Sequence, residues 1–159
     1  MGSTMTKRFA VGLAALFLFG AAPVLAGPVE TLMERSQAAE AKGKFDEAVV
    51  LMQAAVVASP DRAETYVALA DLYVRRNDVP TAGKYYDEAL GIDPTLASAL
   101  LGAGRIDLAQ DDRAGAKGML ARLEKICGPD CAETRALSEA LAAGKNAEAD
   151  ATPSSLDKQ

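Results

Sequence analysis

The chain has 159 residues, which is enough for one domain of ordinary size. Half of the residues are apolar, a quarter are charged, and the net charge is -5. Because the sequence contains no histidine, Ser-His-Asp and Cys-His catalytic groups and imidazole metal ligands are excluded. The acidic balance disfavours nucleic-acid binding, which normally requires a concentrated basic surface. The composition favours a small helical binding protein over an enzyme, and we expect neither a cofactor nor a metal.

The first 26 residues have the pattern of a secretory signal peptide. Lys7 and Arg8 precede an uncharged segment whose centre, residues 9–19, is densely apolar. Val24 and Ala26 are small residues at the positions that precede a signal-peptidase cleavage point. We therefore expect cleavage after Ala26 and a periplasmic or secreted protein. The alternative is an uncleaved membrane anchor, although the strongly apolar run is short for a membrane span.

The middle of the chain repeats with a period of 34 residues. Alanine is common in this chain, so one column of alanines would mean little. Several columns in one register, each holding residues of a suitable size class, are hard to obtain by chance. The columns are Ala48, Ala82 and Ala116; Met52, Tyr86 and Leu120; Ala55, Ala89 and Leu123; Ser36, Ala70 and Gly104; and the turn residues Gly43, Asn77 and Asp111.

This register resembles the tetratricopeptide repeat (TPR) family, in which each unit is a helix-turn-helix. The best match is the unit 63–96, which carries Tyr66, Leu69, Ala70, Tyr73, Ala82, Tyr86, Ala89 and Pro94 at the marked positions of the family. The resemblance implies an all-α superhelix of antiparallel helix pairs with repeats at 29–62, 63–96 and 97–130. The first repeat departs at Arg35, where the family prefers leucine. The third departs at Asp107, where the family prefers an aromatic residue.

A last helix is predicted after the third repeat, at residues 131–143. Its apolar stripe comprises Ala136, Leu137, Ala140 and Leu141, and such a helix would cap the stack. Gly144 is the predicted stop, and the polar segment 144–159 is predicted to be a disordered tail. Three acidic residues are predicted to cap helix starts: Asp61, Asp93 and Asp130.

Cys127 and Cys131 form the one motif with possible chemistry. After export, two nearby thiols normally pair, so a structural disulfide across this Gly-Pro turn is the leading interpretation. A redox switch is the alternative, because Cys131 would lie in the first turn of a helix, where a thiol pKa falls. Two cysteines without histidine make a poor zinc site.

The resemblance also implies a groove, lined by the first helix of each repeat, that holds a peptide or a helix of a partner. The groove positions carried over are, in the first repeat, Glu30, Met33, Gln37, Glu40 and Ala41; in the second, Glu64, Val67, Asp71, Val74 and Arg75; and in the third, Ser98, Leu101, Arg105, Leu108 and Ala109. Met33, Val67 and Leu101 would form an apolar line, or else pack only against neighbouring helices. Arg105 would contact a partner, or else form an exposed ion pair with Asp71.

One subtype of the family holds the terminal carboxylate of a chaperone with lysine and asparagine side chains. Asp71 replaces the asparagine, and Met33 and Leu101 stand where lysine is needed, so no such clamp is predicted. The leading hypothesis is a non-enzymatic adaptor or scaffold that binds an envelope protein. The alternatives are a self-associating structural protein and a redox-responsive protein that switches at Cys127 and Cys131. The membrane is a partner only if the amino-terminal segment is retained.

Overall fold

The computed structural model describes the backbone of residues 27–150 and the side chains of residues 27–143. Within this range the chain forms helices joined by short turns, and no strand is present. The helices are α1 (Pro28–Glu40), α2 (Phe45–Ala58), α3 (Ala63–Arg75), α4 (Val79–Ile92), α5 (Ala97–Ala109), α6 (Arg113–Cys127) and α7 (Ala132–Asp150). None of these helices is both long and apolar enough to cross a membrane.

The helices form three pairs, α1 with α2, α3 with α4, and α5 with α6, and each pair lies within one predicted repeat. Successive pairs stack through α2 with α3 and α4 with α5, while α7 packs against both α5 and α6. The helix α3 also contacts α5 directly, so these two helices share one face of the stack. The predicted all-α architecture of helix pairs with a terminal helix is confirmed.

Small residues allow the paired helices to approach closely. Ala48, Ala82 and Ala116, which share one column of the repeat, are fully buried. Ser36 is buried opposite this column and donates a hydrogen bond from its hydroxyl to the Ala48 carbonyl oxygen at 2.8 Å. Because a side chain larger than a methyl group would separate the two backbones, the alanine column determines the spacing within each pair.

Left-handed residues form the turn between the two helices of each pair. Gly43, Asn77 and Asp111 have φ values of 71°, 60° and 62°, which confirms the predicted turn residues. Glycine and short polar residues tolerate this conformation best. In the second and third repeats the next residue, Asp78 or Asp112, accepts a hydrogen bond from the backbone of the following helix. These aspartates satisfy a backbone donor at the helix start.

The predicted caps at Asp61, Asp93 and Asp130 are wrong. The N-cap of α3 is Arg62, and the carboxylate of Asp61 accepts a hydrogen bond from the Ser59 hydroxyl instead. Asp93 ends α4, and its carboxylate accepts hydrogen bonds from the backbone and hydroxyl of Thr95, which lower its pKa. The helix α7 begins at Ala132, so the residue at its N-cap position is Cys131 and not Asp130. The first two carboxylates bond within their own turns, a known competitor of helix capping.

The predicted helix end at residue 143 is also wrong, because α7 continues through Gly144 to Asp150. A glycine inside a helix costs only about 1 kcal/mol relative to alanine. The sequence beyond it, residues 145–150, contains two alanines, one lysine and one glutamate and no glycine or proline, and these four residues favour helix and offset that cost. The predicted signal peptide, residues 1–26, and the remainder of the predicted tail, residues 151–159, lie outside the described residues.

Candidate functional site

Ion pairs join α1 to α3 and to its N-cap residue along the face that holds the predicted groove. The Arg62 guanidinium donates to the Glu30 carboxylate at 2.6 Å, and this hydrogen bond is the main reason that the pKa of Glu30 lies below its usual value. The Arg75 guanidinium pairs with the Glu40 carboxylate through two contacts. The predicted groove residue Glu40 is therefore already engaged by α3.

The helices α3 and α5 enclose a hollow of about 370 Å³ on this face, which we call the α3–α5 hollow. It brings together five of the predicted groove residues: Asp71, Val74, Arg75, Arg105 and Ala109. Val74 is 44% exposed there, a large fraction for an apolar side chain. The other lining residues are Val79, Tyr86, Gly102 and Ile106.

Tyr86, from α4, lines the hollow and is held by Asp71. The Tyr86 hydroxyl donates a hydrogen bond to the Asp71 carboxylate at 2.5 Å, while the ring is 3% exposed. Burial raises the pKa of Tyr86, and the hydrogen bond and charge of Asp71 raise it further. The hydroxyl thus stays protonated as a donor. Among the described side chains, the Asp71 carboxylate forms no ion pair with Arg105, whose guanidinium is left exposed.

The position of Tyr86 depends on Gly102 in α5. A methyl group on Gly102 would collide with three carbons of the Tyr86 ring. Glycine is unfavourable inside a helix, so its presence at the centre of α5 indicates that the ring needs this space. The sequence interpretation missed Tyr86, Gly102, Val79 and Ile106 as lining residues. A glycine within an otherwise apolar, alanine-rich helix was the available signal.

The remaining predicted groove residues do not line the hollow. Val67 is buried in the core cluster that also contains Tyr86, so it contributes packing. Met33 packs partly against the core of the first repeat, and Leu101 and Leu108 pack partly against the core of the third. Gln37 is exposed on α1.

The two cysteines lie at the carboxyl-terminal end of the stack, where α6 meets α7. The Cys127 and Cys131 sulfur atoms are in contact, and the Cα atoms are 5.8 Å apart, within the range that a disulfide spans. The Thr134 hydroxyl lies 2.9 Å from the Cys131 sulfur. The Glu133 carboxylate lies within 4.8 Å of both sulfurs. Two thiolates and a carboxylate supply three of the four ligands that zinc takes, and a disulfide would remove two of them.

These features define a class, the helical repeat proteins built from stacked antiparallel helix pairs. Residues 63–96 match the family model of the tetratricopeptide repeat, so the second helix pair is a TPR unit. The fold of the described chain is that of a TPR domain with three helix pairs and a terminal helix. No curated protein matches the sequence.

Solved TPR domains have the same fold. The TPR domain of Sgt2 from Aspergillus fumigatus is 20% identical, with a TM-score of 0.71 over 84% of this chain and 90% of that one. The first TPR domain of human RPAP3 is 24% identical, with a TM-score of 0.62 over 76% of this chain and 98% of that one. The first TPR of Spaghetti (RPAP3), bound to an HSP90 peptide, is 23% identical, with a TM-score of 0.62 over 72% of this chain and 94% of that one.

Proposed function

We propose that this protein is an exported, non-enzymatic TPR adaptor that binds a peptide or a helix of an envelope protein. The observation that carries the proposal is the α3–α5 hollow, whose volume of about 370 Å³ falls within the range of ligand-binding clefts. Its wall offers exposed apolar surface at Val74 and an exposed guanidinium at Arg105. An apolar anchor of a partner would fill the hollow, and a polar group beside it would meet Arg105.

The peptide-bound Spaghetti structure supports the general mode, because it has the same fold and holds a peptide. The proposed partner of this chain is different. Met33, Asp71 and Leu101 replace the lysine and asparagine of the carboxylate-clamp subtype, so we propose that recognition depends on an internal apolar anchor.

Affinity capture with matched variants tests this proposal. We would immobilise the wild-type domain, Val74→Asp and Arg105→Glu, and use Ile92→Asp as the control, because Ile92 is a 38% exposed apolar residue on α4 that does not line the hollow. The proposal expects one partner to be retained by the wild type and the control and lost from both groove variants. Calorimetry with that purified partner would then give the affinity directly. Equal retention by all four proteins would contradict the groove as the binding site.

We further propose that the mature chain begins at Gly27 and contains a Cys127–Cys131 disulfide. The support is the signal-peptide pattern together with the contact of the two sulfur atoms. An intact mass of the protein from its native compartment, taken without reductant, tests both points. We expect the mass of a chain that begins at Gly27, reduced by the two hydrogen atoms that disulfide formation removes. A full-length mass would contradict export with cleavage, and free thiols would contradict the disulfide.

A second candidate is self-association through the outer face of α2. Val50 and Val57 are 63% and 81% exposed there, and Ala54 lies between them. Light scattering over a hundredfold range of concentration would show a rising mass that Val57→Asp abolishes. A constant monomer mass would exclude this candidate.

A further inference from the structure

The two cysteines lie at opposite kinds of helix terminus. Cys127 is the last residue of α6, and Cys131 occupies the N-cap position of α7. The aligned peptide dipoles give a helix partial negative charge at its carboxyl end and partial positive charge at its amino end. The helix α6 therefore destabilises a thiolate at Cys127, whereas α7 stabilises a thiolate at Cys131.

The nearest polar groups increase this difference between the two sulfur atoms. The Cys127 sulfur lies 3.4 Å from the Leu123 carbonyl oxygen, which is an acceptor and cannot donate to a thiolate. The buried Thr134 hydroxyl lies 2.9 Å from the Cys131 sulfur and 3.6 Å from the Cys127 sulfur. Because a hydroxyl donates to a thiolate, Thr134 stabilises negative charge mainly on the nearer sulfur, that of Cys131.

Access from solvent also differs between the two cysteines. Cys127 is exposed, whereas Cys131 is half-buried. A hollow of about 270 Å³ between α6 and α7 adjoins the bridge, because Thr134 lines this hollow and contacts the sulfur atoms. Its other lining residues are Glu124, Pro129, Arg135, Ser138 and Glu139. A polar segment that carries a thiol therefore has room beside the bridge.

These differences select one direction for attack on the bridge. In thiol–disulfide exchange, a thiolate attacks one sulfur and the other leaves with the electron pair of the broken bond. The reaction is faster when the attacked sulfur is accessible and the leaving thiolate is stable. Both conditions favour attack at Cys127 and departure of Cys131. The Glu133 carboxylate lies within 4.8 Å of both sulfurs, so it repels an incoming thiolate without favouring either direction.

We propose that the Cys127–Cys131 disulfide is an exchange site that forms a mixed disulfide with the thiol of a partner. The partner thiol loses its proton to water, and its sulfur forms a new bond to the Cys127 sulfur. The Cys127–Cys131 bond breaks, and Cys131 keeps the electron pair as a thiolate. Attack of this thiolate on the mixed disulfide restores the bridge and releases the partner. The site thus holds a partner covalently and reversibly.

The inference rests on the disulfide proposed above and does not depend on peptide binding in the α3–α5 hollow. A small free thiol and a cysteine of a partner protein share the required chemistry. No further oxidant enters the reaction, because the protein disulfide is itself the oxidant and is reduced to one thiolate for each mixed disulfide formed.

Exchange of the full chain with glutathione, trapped by N-ethylmaleimide, tests the proposal. The starting material is the chain whose intact mass shows the bridge. Each trapped molecule carries glutathione on one cysteine and maleimide on the other, and fragment ions of the tryptic peptide 126–135 assign them. Glutathione on Cys127 with maleimide on Cys131 is expected at least about fivefold more often than the reverse.

Three variants separate the causes of this preference. Thr134→Val removes the hydroxyl and keeps the shape, so it should reduce both the exchange rate and the preference at least about threefold. Thr65→Val is the matched control, because Thr65 is a buried threonine of α3 far along the chain whose hydroxyl donates to the Arg62 carbonyl oxygen; it should change neither quantity. Glu133→Gln should speed the exchange and leave the preference unchanged, since it removes repulsion that acts on both sulfurs.

A comparison of two thiols distinguishes the sources. N-acetylcysteine amide and the capped peptide Ser-Cys-Ser carry the same reactive group, so a faster reaction of the peptide assigns the site to a partner cysteine, and equal rates assign it to small thiols. A chain that cannot be isolated with the bridge would contradict the disulfide itself. A bridged chain that does not exchange, or that carries glutathione equally on both cysteines or mainly on Cys131, would overturn the exchange site and leave the disulfide standing.

Discussion

The ring of Tyr86 occupies the space above Gly102 that any other residue would fill with its own side chain. This contact connects α4 to α5 and brings the Tyr86 hydroxyl to the Asp71 carboxylate on α3. One glycine thus allows three helices to meet at the α3–α5 hollow.

Gly102→Ala should destabilise the domain. The added methyl group collides with the Tyr86 ring, and overpacking of a core typically costs about 1–3 kcal/mol, more than the gain from replacing a helical glycine. Urea unfolding measures the difference. Gly118→Ala is the matched control, because Gly118 lies inside α6 and an added Cβ would meet no neighbouring atom within 4 Å, so this change should stabilise by about 0.5–1 kcal/mol. A neutral or stabilising Gly102→Ala would show that the ring does not need the space.

Tyr86→Phe should cost about 1–3 kcal/mol, because the part-buried Asp71 carboxylate loses its hydrogen bond. Tyr66→Phe is the control: its hydroxyl donates to the Pro60 carbonyl oxygen in an exposed setting, where the loss should be well below 1 kcal/mol. Chemical unfolding of both variants gives the two costs. Equal costs would mean that the Asp71 contact has no special weight.

Asp107→Asn should stabilise the domain at pH 7, since it removes the charge of a carboxylate whose Oδ2 atom is buried without a hydrogen bond. Because the folded state raises the pKa of Asp107, ionisation costs more in the folded chain than in the unfolded chain. The wild type therefore loses stability relative to the variant as the pH rises from 3.8, the ordinary aspartate value, through the raised pKa. Unfolding curves from pH 3 to pH 7 test this. A difference that is constant across this range would contradict the assignment to Asp107.

Attachment of α7 should depend more on Leu137 than on the cysteines. Leu137 is fully buried and contacts the backbone of α5 at Gly104, so Leu137→Ala should cost about 2–5 kcal/mol. Cys127→Ser with Cys131→Ser opens only a short loop and should cost about 2 kcal/mol or less. Thermal unfolding of the two proteins without reductant compares them. A larger loss from the serine pair would identify the disulfide as the main attachment.

The repeat register predicted the helix pairs because their spacing depends on residue size at fixed positions, which a sequence displays directly. Ala48 and Ala82 illustrate this, since both are buried as their column implied. The caps were harder to predict, because Asp61 and Asp93 had equally good partners within their own turns. Nothing local to those residues decides between the two bonding patterns.

The site was only partly predictable for a different reason. Asp71, Val74 and Arg105 were found by register, but whether a side chain is exposed depends on its neighbours from other repeats. Val67 is covered by such neighbours and Val74 is not. The sequence showed that Asp107 stands where the family prefers an aromatic residue. The hollow of about 190 Å³ beside Asp107 also requires Gly83 on α4, which only the folded chain brings near.

In situ photocrosslinking tests the central claim most directly, because it examines the α3–α5 hollow in the native compartment. The photoreactive residue p-benzoylphenylalanine would replace Val74 in one strain and Ile92, a part-exposed residue of α4 outside the hollow, in another. The account predicts a discrete crosslinked partner from position 74 that is lost when Arg105→Glu is added, and no such adduct from position 92. An adduct from position 92 alone, or none from position 74, would contradict it.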